Sequence, residues 1–113
     1  MMIPALFKSI DTKNIKAFTD FLAEDAIFCF GNAPQVQGKA NIANAVTGFL
    51  HSVADIEHQL TAFWQLDNTV ICHGTVTYTR PNNTRLTVPF ANILQLTAGK
   101  ISEYRIFADI SEL

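Results

Sequence analysis

Apolar residues recur at helical spacing through the first third of the chain. Ile3, Leu6, Phe7 and Ile10 make one stripe, and Pro4 suits a first helical turn, where its missing N–H costs nothing. Asp11 or Asn14 can cap the helix that follows. Its stripe is Ile15, Phe18, Phe21 and Leu22, and the pattern predicts that it stops near Glu24-Asp25. Ala26 to Phe30 reads as a short strand and Gly31-Asn32-Ala33-Pro34 as a turn. After Gly38 a third helix is predicted to about Val53, with Ile42, Val46, Phe49, Leu50 and Val53 inward.

Beyond Ala54 the period falls to two. Ile56, His58, Leu60, Ala62, Trp64 and Leu66 share one face of a long strand. Val70, Cys72, Gly74, Val76 and Tyr78 share a face of the next, after an Asp67-Asn68 turn. A Pro81-Asn82-Asn83 turn leads to Leu86, Val88, Phe90, Asn92, Leu94 and Leu96. Gly99 turns the chain into a last strand that alternates through Tyr104 and Ile106. Helices first and a meander afterwards predict one α+β domain over residues 1–113: three N-terminal helices packed on a curved, mostly antiparallel sheet, leaving a cone between them. The opposite sheet face mixes Phe63, Ile71, Ala91, Ile93 and Phe107 with Thr75, Thr77, Thr87 and Gln95. So little charge predicts a covered face, most simply a homodimer with a twofold axis, although strand-favouring threonines also suit open solvent.

Composition narrows the partners. Of 113 residues, 49% are hydrophobic and 16% charged, which excludes disorder. The net charge is −2 and the basic residues form no stripe, so nucleic acid is not an expected partner. No apolar run is long enough for a membrane span, and no cationic segment precedes the apolar start, so the expectation is a soluble cytoplasmic protein. Cys29 and Cys72 have neither disulfide-framework nor metal spacing and read as small buried hydrophobes. The three histidines have no ligand spacing, and no cofactor motif is present, so neither metal nor cofactor is expected.

Several segments together resemble the SnoaL-like branch of the nuclear transport factor 2-like (cystatin-like) superfamily. They are LFKSIDTKNIKAFTDFLAEDAIF, QGKANIANAVTGFL, GTVTYTR, VPFANILQL and GKISEYRIFADISEL. The resemblance covers nearly the whole chain. It implies the cone fold and leaves activity open, because the superfamily includes isomerases, cyclases, epoxide hydrolases, dehydratases and non-enzymatic domains. The positions corresponding to the ketosteroid isomerase residues are Leu6, Phe30 and Asn92, of which Asn92 alone is polar. The positions corresponding to the limonene epoxide hydrolase triad are Gly74, Val76 and Ile106, so that triad is absent. The cyclases' acid on the last strand has one nearby counterpart, Asp109.

A short set of polar groups remains on faces that are otherwise apolar. Asn92, between Phe90 and Leu94, either finds partners among its neighbours or serves as a hydrogen-bonding group in a cavity. Tyr78 and Tyr104 each offer an apolar body with a polar tip, and Trp64 an indole N–H. His58 is the histidine best placed for acid–base work, with Asp109 as its candidate partner. His51 falls off its helix stripe and His73 faces the outer side. The expected function is binding of a small, mostly apolar molecule in the cone by Trp64, Tyr78, Phe90, Asn92 and Tyr104. Two alternatives stand beside it. One is a cofactor-free isomerase, cyclase or dehydratase that transfers protons through His58 and Asp109. The other is a non-catalytic interaction domain whose nine phenylalanines fill the cone.

Overall fold

The computed structural model describes residues 2–113. Helix α1 (Met2–Asp11) buries Ile3, Leu6, Phe7 and Ile10, the stripe the spacing predicts. Helix α2 (Ile15–Asp20) is capped by Asn14, whose Oδ1 accepts the Ala17 N–H at 3.1 Å. It ends earlier than its stripe suggests. Strand β1 already begins at Leu22 (Leu22–Phe30), and the Phe21 carbonyl accepts the Ile101 N–H at 2.8 Å. An irregularity between Leu22 and Ile27 leaves Glu24 and Asp25 exposed while Leu22 and Ala26 stay buried. Pairing with a distant strand has overridden helix propensity here.

Strand β2 (Val36–Gln37) is a two-residue addition antiparallel to β1, within a segment whose polarity predicts only a turn. Helix α3 (Lys39–His51) follows, burying Ile42, Val46 and Leu50. The rest is a meander of β3 (Asp55–Leu66), β4 (Thr69–Thr79), β5 (Arg85–Thr97) and β6 (Lys100–Ala108). The six strands form an open sheet in the order β2-β1-β6-β5-β4-β3, parallel between β1 and β6 and otherwise antiparallel. The helices pack on its concave face, as the pattern predicts.

Two one-residue irregularities bend the meander. In β3, Leu60 pairs with Gly74 and Ala62 with His73, so Thr61 is an extra residue. Alternation reverses beyond it: Phe63 comes opposite buried Cys72, and Trp64 opposite exposed Ile71. Trp64 and Leu66 therefore face outward and Phe63 inward, the reverse of what strict alternation predicts. In β6, Ser102 is extra between Leu96↔Ile101 and Gln95↔Glu103, which lets Ile101 and Tyr104 both point into the core.

Gly74 permits the first bulge. A Cβ there would lie 1.9 Å from the Gln59 carbonyl oxygen, an impossible contact with backbone. Gly74→Ala should lower stability by about 3 kcal/mol, the upper end of ordinary overpacking. Gly48→Ala, on open helix surface, should raise it by roughly 0.5–1 kcal/mol. Urea unfolding of the two variants checks this, and a neutral Gly74→Ala would show that the bulge does not need glycine.

Candidate functional site

The cone is hollow. A cavity of about 280 Å³ lies between the helices and the concave sheet face, near the lower end of small-molecule pockets. Phe18, Phe28, Phe49 and Phe90 line it rather than fill it. Ile56 and Val76 add apolar floor from β3 and β4, and Val46 and Leu50 add wall from α3. Ala33, Pro34 and Ala45 are lining residues that are also exposed, so the mouth lies between the β1–β2 loop and α3.

Polar groups reach this cavity from four strands. Asn92 on β5 is 2% exposed, and its Oδ1 has no hydrogen-bond partner among the described residues. An unpaired buried acceptor costs about 1–3 kcal/mol, so it is a group that waits for a donor. Tyr78 on β4 and Tyr104 on β6 are both buried, and neither hydroxyl bonds to protein among the described residues. Burial pushes the Tyr78 phenol up to about 12. Burial pushes Tyr104 higher still, and negative charge on Cys72, Asp11 or Tyr78 would add to the effect. Both phenols therefore remain neutral donors at ordinary pH. The Cys72 thiol is raised to about 11 by burial, opposed by a hydrogen bond from the Asn92 backbone, so it stays an inert thiol.

His58 reaches the cavity from β3, and its position is over-determined. Its Nδ1 lies 2.6 Å from Oδ1 of Asp11, and its backbone N–H donates to Asp11 Oδ2 at 2.9 Å. Phe7 stacks parallel on the ring at 4.5 Å, and Phe90 meets it edge-on at 5.3 Å.

Of the residues the sequence nominates, the structure brings together His58, Tyr78, Phe90, Asn92 and Tyr104. It does not bring Trp64 or Asp109. The Thr61 bulge turns Trp64 outward, where it is 56% exposed and stacks on His73 at 5.8 Å. Asp109 lies past the end of β6, is exposed, and accepts the Ser111 N–H at 2.9 Å, an interaction that holds its carboxyl below the usual range. The acid beside His58 is instead Asp11, which reads in the sequence as a cap. Asn14 does the capping, and Asp11 occupies the last turn of α1, where helix carbonyls disfavour an anion. A carboxylate in that position, four residues from inward-facing Phe7, was the available signal for a tertiary partner. Among the described residues no three His, Cys, Asp or Glu side chains converge as a metal-ligand set, and no helix is long and apolar enough to cross a membrane.

Folding holds Tyr78 neutral to about 12, against 10.0 when unfolded. Its contribution to stability is thus complete below pH 10 and declines as pH rises towards 12. Absorbance at 295 nm should show neither of the two tyrosines ionising near pH 10, with tyrosinate appearing only as the chain unfolds. A phenol that titrates at 10 in the folded protein would contradict this burial.

Solved structures share the architecture. A hypothetical protein with a ketosteroid isomerase-like fold from Catenulispora acidiphila, in complex with trimethylamine, aligns with TM-score 0.88 at 14% identity, covering 96% of this chain and 85% of that one. A putative SnoaL-like polyketide cyclase from Jannaschia aligns with TM-score 0.84 at 14% identity, covering 96% and 83%. An epoxide hydrolase from M. tuberculosis, like limonene epoxide hydrolase, aligns with TM-score 0.83 at 13% identity, covering 96% and 80%. At such identities the likeness shows the fold, which is nuclear transport factor 2-like. No curated protein matches the sequence. The family profile for the SnoaL-like domain matches residues 3–104, nearly the full length of helices, cone and sheet, and the chain belongs to that family.

Proposed function

We propose that the protein binds a small, mostly apolar organic molecule in the cone, with the molecule's polar group met by Asn92 and the two tyrosines. The observation that carries this reading is the unpartnered Asn92 Oδ1 beside an apolar cavity of about 280 Å³. A fold under no functional demand gains stability by replacing such an amide with an apolar group. Relatives in fold that include a putative polyketide cyclase, an epoxide hydrolase and a protein in complex with trimethylamine accord with a small-molecule site. The same proposal sets the protein in the cytoplasm, where Cys29 and Cys72, both unpaired, stay reduced.

A second element of the proposal is a twofold homodimer through the outer sheet face. Trp64, Ile71 and Phe107 are 56%, 43% and 53% exposed there, more apolar surface than a lone sheet face normally shows to water. A second copy of the chain would meet this face with the same face, whose neighbouring charges Arg105 and Glu103 already pair with each other at 3.6 Å.

Calorimetry with 1-naphthol, which carries a donor, and 2-tetralone, a ketone, tests the site. Both should bind once per chain, and Ile106→Trp, which fills the cavity, should abolish both. Asn92→Leu should weaken 1-naphthol about tenfold or more while raising unfolding stability by roughly 1 kcal/mol. Binding that survives Ile106→Trp would locate the ligand elsewhere. Sedimentation at micromolar concentration should give twice the 12.5 kDa chain mass, reverting to one chain in Phe107→Glu. A wild-type mass of 12.5 kDa would remove the dimer from the proposal.

A further inference from the structure

We propose that residues 109–113 form a strap that closes one side of the cone, with Ile110 as its plug and Arg80 as its latch, and that the strap governs which ligands enter and how long a ligand fits. The inference deepens the ligand-binding reading and rests on it.

The strap follows β6, which ends at Ala108. It exposes Asp109, Ser111 and Glu112 and half-buries Ile110 and Leu113, which pack back on the core. Its polar groups fold it locally. Asp109 Oδ1 accepts the Ser111 N–H at 2.9 Å, and the Ile110 carbonyl accepts the Leu113 N–H at 2.9 Å. Neither bond leaves the segment. Arg80 Nη2 donates to the Glu112 carbonyl at 2.8 Å, and among the described residues this is the one hydrogen bond that ties the strap to the rest of the protein.

Arg80 is fixed where a latch needs to be. Its backbone N–H donates to the Thr84 carbonyl at 2.7 Å, and its Nη1 donates to Thr84 Oγ1 at 3.2 Å, so the turn between β4 and β5 holds the guanidinium in place. Among the described residues no carboxylate pairs with it, and its charge is spent on neutral oxygens. A charge-assisted bond of this kind sets a resting position, yet at an exposed site water can replace it.

Ile110 is the plug. On its inner side it lines the cavity, and on its outer side it lines an open groove with Val53, Pro81 and Leu113. One side chain therefore stands between chamber and groove. The strap also borders the mouth, because the β1–β2 loop reaches its base: a Cβ on Gly31 would lie 3.4 Å from the Ala108 carbonyl oxygen. Most of the remaining wall is helix or paired strand, and opening it would break ladders of backbone hydrogen bonds. Lifting the strap breaks one hydrogen bond and exposes two half-buried side chains. Local opening takes the route of lowest cost. A molecule of chamber size enters when the strap lifts. A longer one fits only where Ile110 gives way and the chamber runs on into the groove.

The test uses the whole protein with 1-naphthol and with 4-phenylphenol, a longer rigid phenol. Stopped-flow fluorescence of 1-naphthol should show association and dissociation each about fivefold or more faster in Arg80→Ala, with Kd little changed, because a latch governs passage rather than the bound state. Ile110→Ala should improve binding of 4-phenylphenol relative to 1-naphthol by about tenfold or more. In the wild type, the amides of residues 110–113 should exchange with D2O faster than those of β6 and slow when 1-naphthol saturates the site. If 1-naphthol binds but Arg80→Ala leaves both rates unchanged, the latch is overturned while the binding site stands, and an unchanged affinity ratio in Ile110→Ala overturns the plug. If 1-naphthol does not bind, both readings fall. The exchange measurement needs no variant to fold: strap amides as slow as those of β6 would overturn the strap by themselves.

Discussion

The backbone of Gln59 passes so close to Gly74 that no side chain fits between β3 and β4 at that point. Much of the molecule follows from this approach. It admits the extra residue Thr61, which kinks a twelve-residue strand that would otherwise run on its regular twist. The kink reverses which side chains face the helices beyond it. His58 and Leu60 lie before the reversal and keep to the concave side, while Trp64 and Leu66 lie after it and face water. A six-stranded sheet bent in this way arches over its helices, and the arch leaves space that five of the nine phenylalanines line without closing.

Inside that space the chain tolerates arrangements that stability alone would remove. Asn92 is shut away with an acceptor unpaired, two phenols keep hydroxyls unused, and Asp11 stands at the end of a helix that disfavours it. Each is a small cost; Asn92 and the two phenols line one chamber, and Asp11 adjoins it through His58. Natural sequences carry such local inconsistencies where function demands them. Asp11 shows how one is offset: the helix terminus repels its charge, but His58 supplies two donors to it from β3.

Regular elements were legible because their periods are long compared with their interruptions. The α1 stripe, the α3 stripe and the alternation of β4 and β5 each repeat four or more times in the sequence, and the α+β cone follows from their order. What escaped the pattern was what depends on a single residue or on a distant one. One extra residue in β3 leaves no compositional trace, yet it exchanged Trp64 with Phe63. Strand β2 is two residues long, and its identity lies in β1's need for an edge partner. Five of the seven nominated site residues converge, because inward polar residues on apolar strands stand out. Asp109 did not, because position beyond the last strand says nothing of direction. Asp11 was overlooked because the group that explains it lies 47 residues away. The cavity itself is invisible in composition: the same phenylalanines would serve to fill a cone or to line one.

The parallel pairing of β1 with β6 joins Phe28 to Tyr104 and Phe30 to Ile106, across most of the length of the chain. Parallel partners this remote in sequence carry a large loop-closure cost before any contact rewards it. The meander β3–β6 can zip through local hairpins, but β1, and with it the wall that Phe28 and Phe30 contribute, has only the two-residue β2 to pair with until the last strand is in place. On the ribosome the N-terminal third would therefore wait, its apolar stripes uncovered, for residues that are synthesised last. The chamber is the product of the final docking event, and a chain interrupted within β6 would lose the pocket together with the order of its entire N-terminal strand.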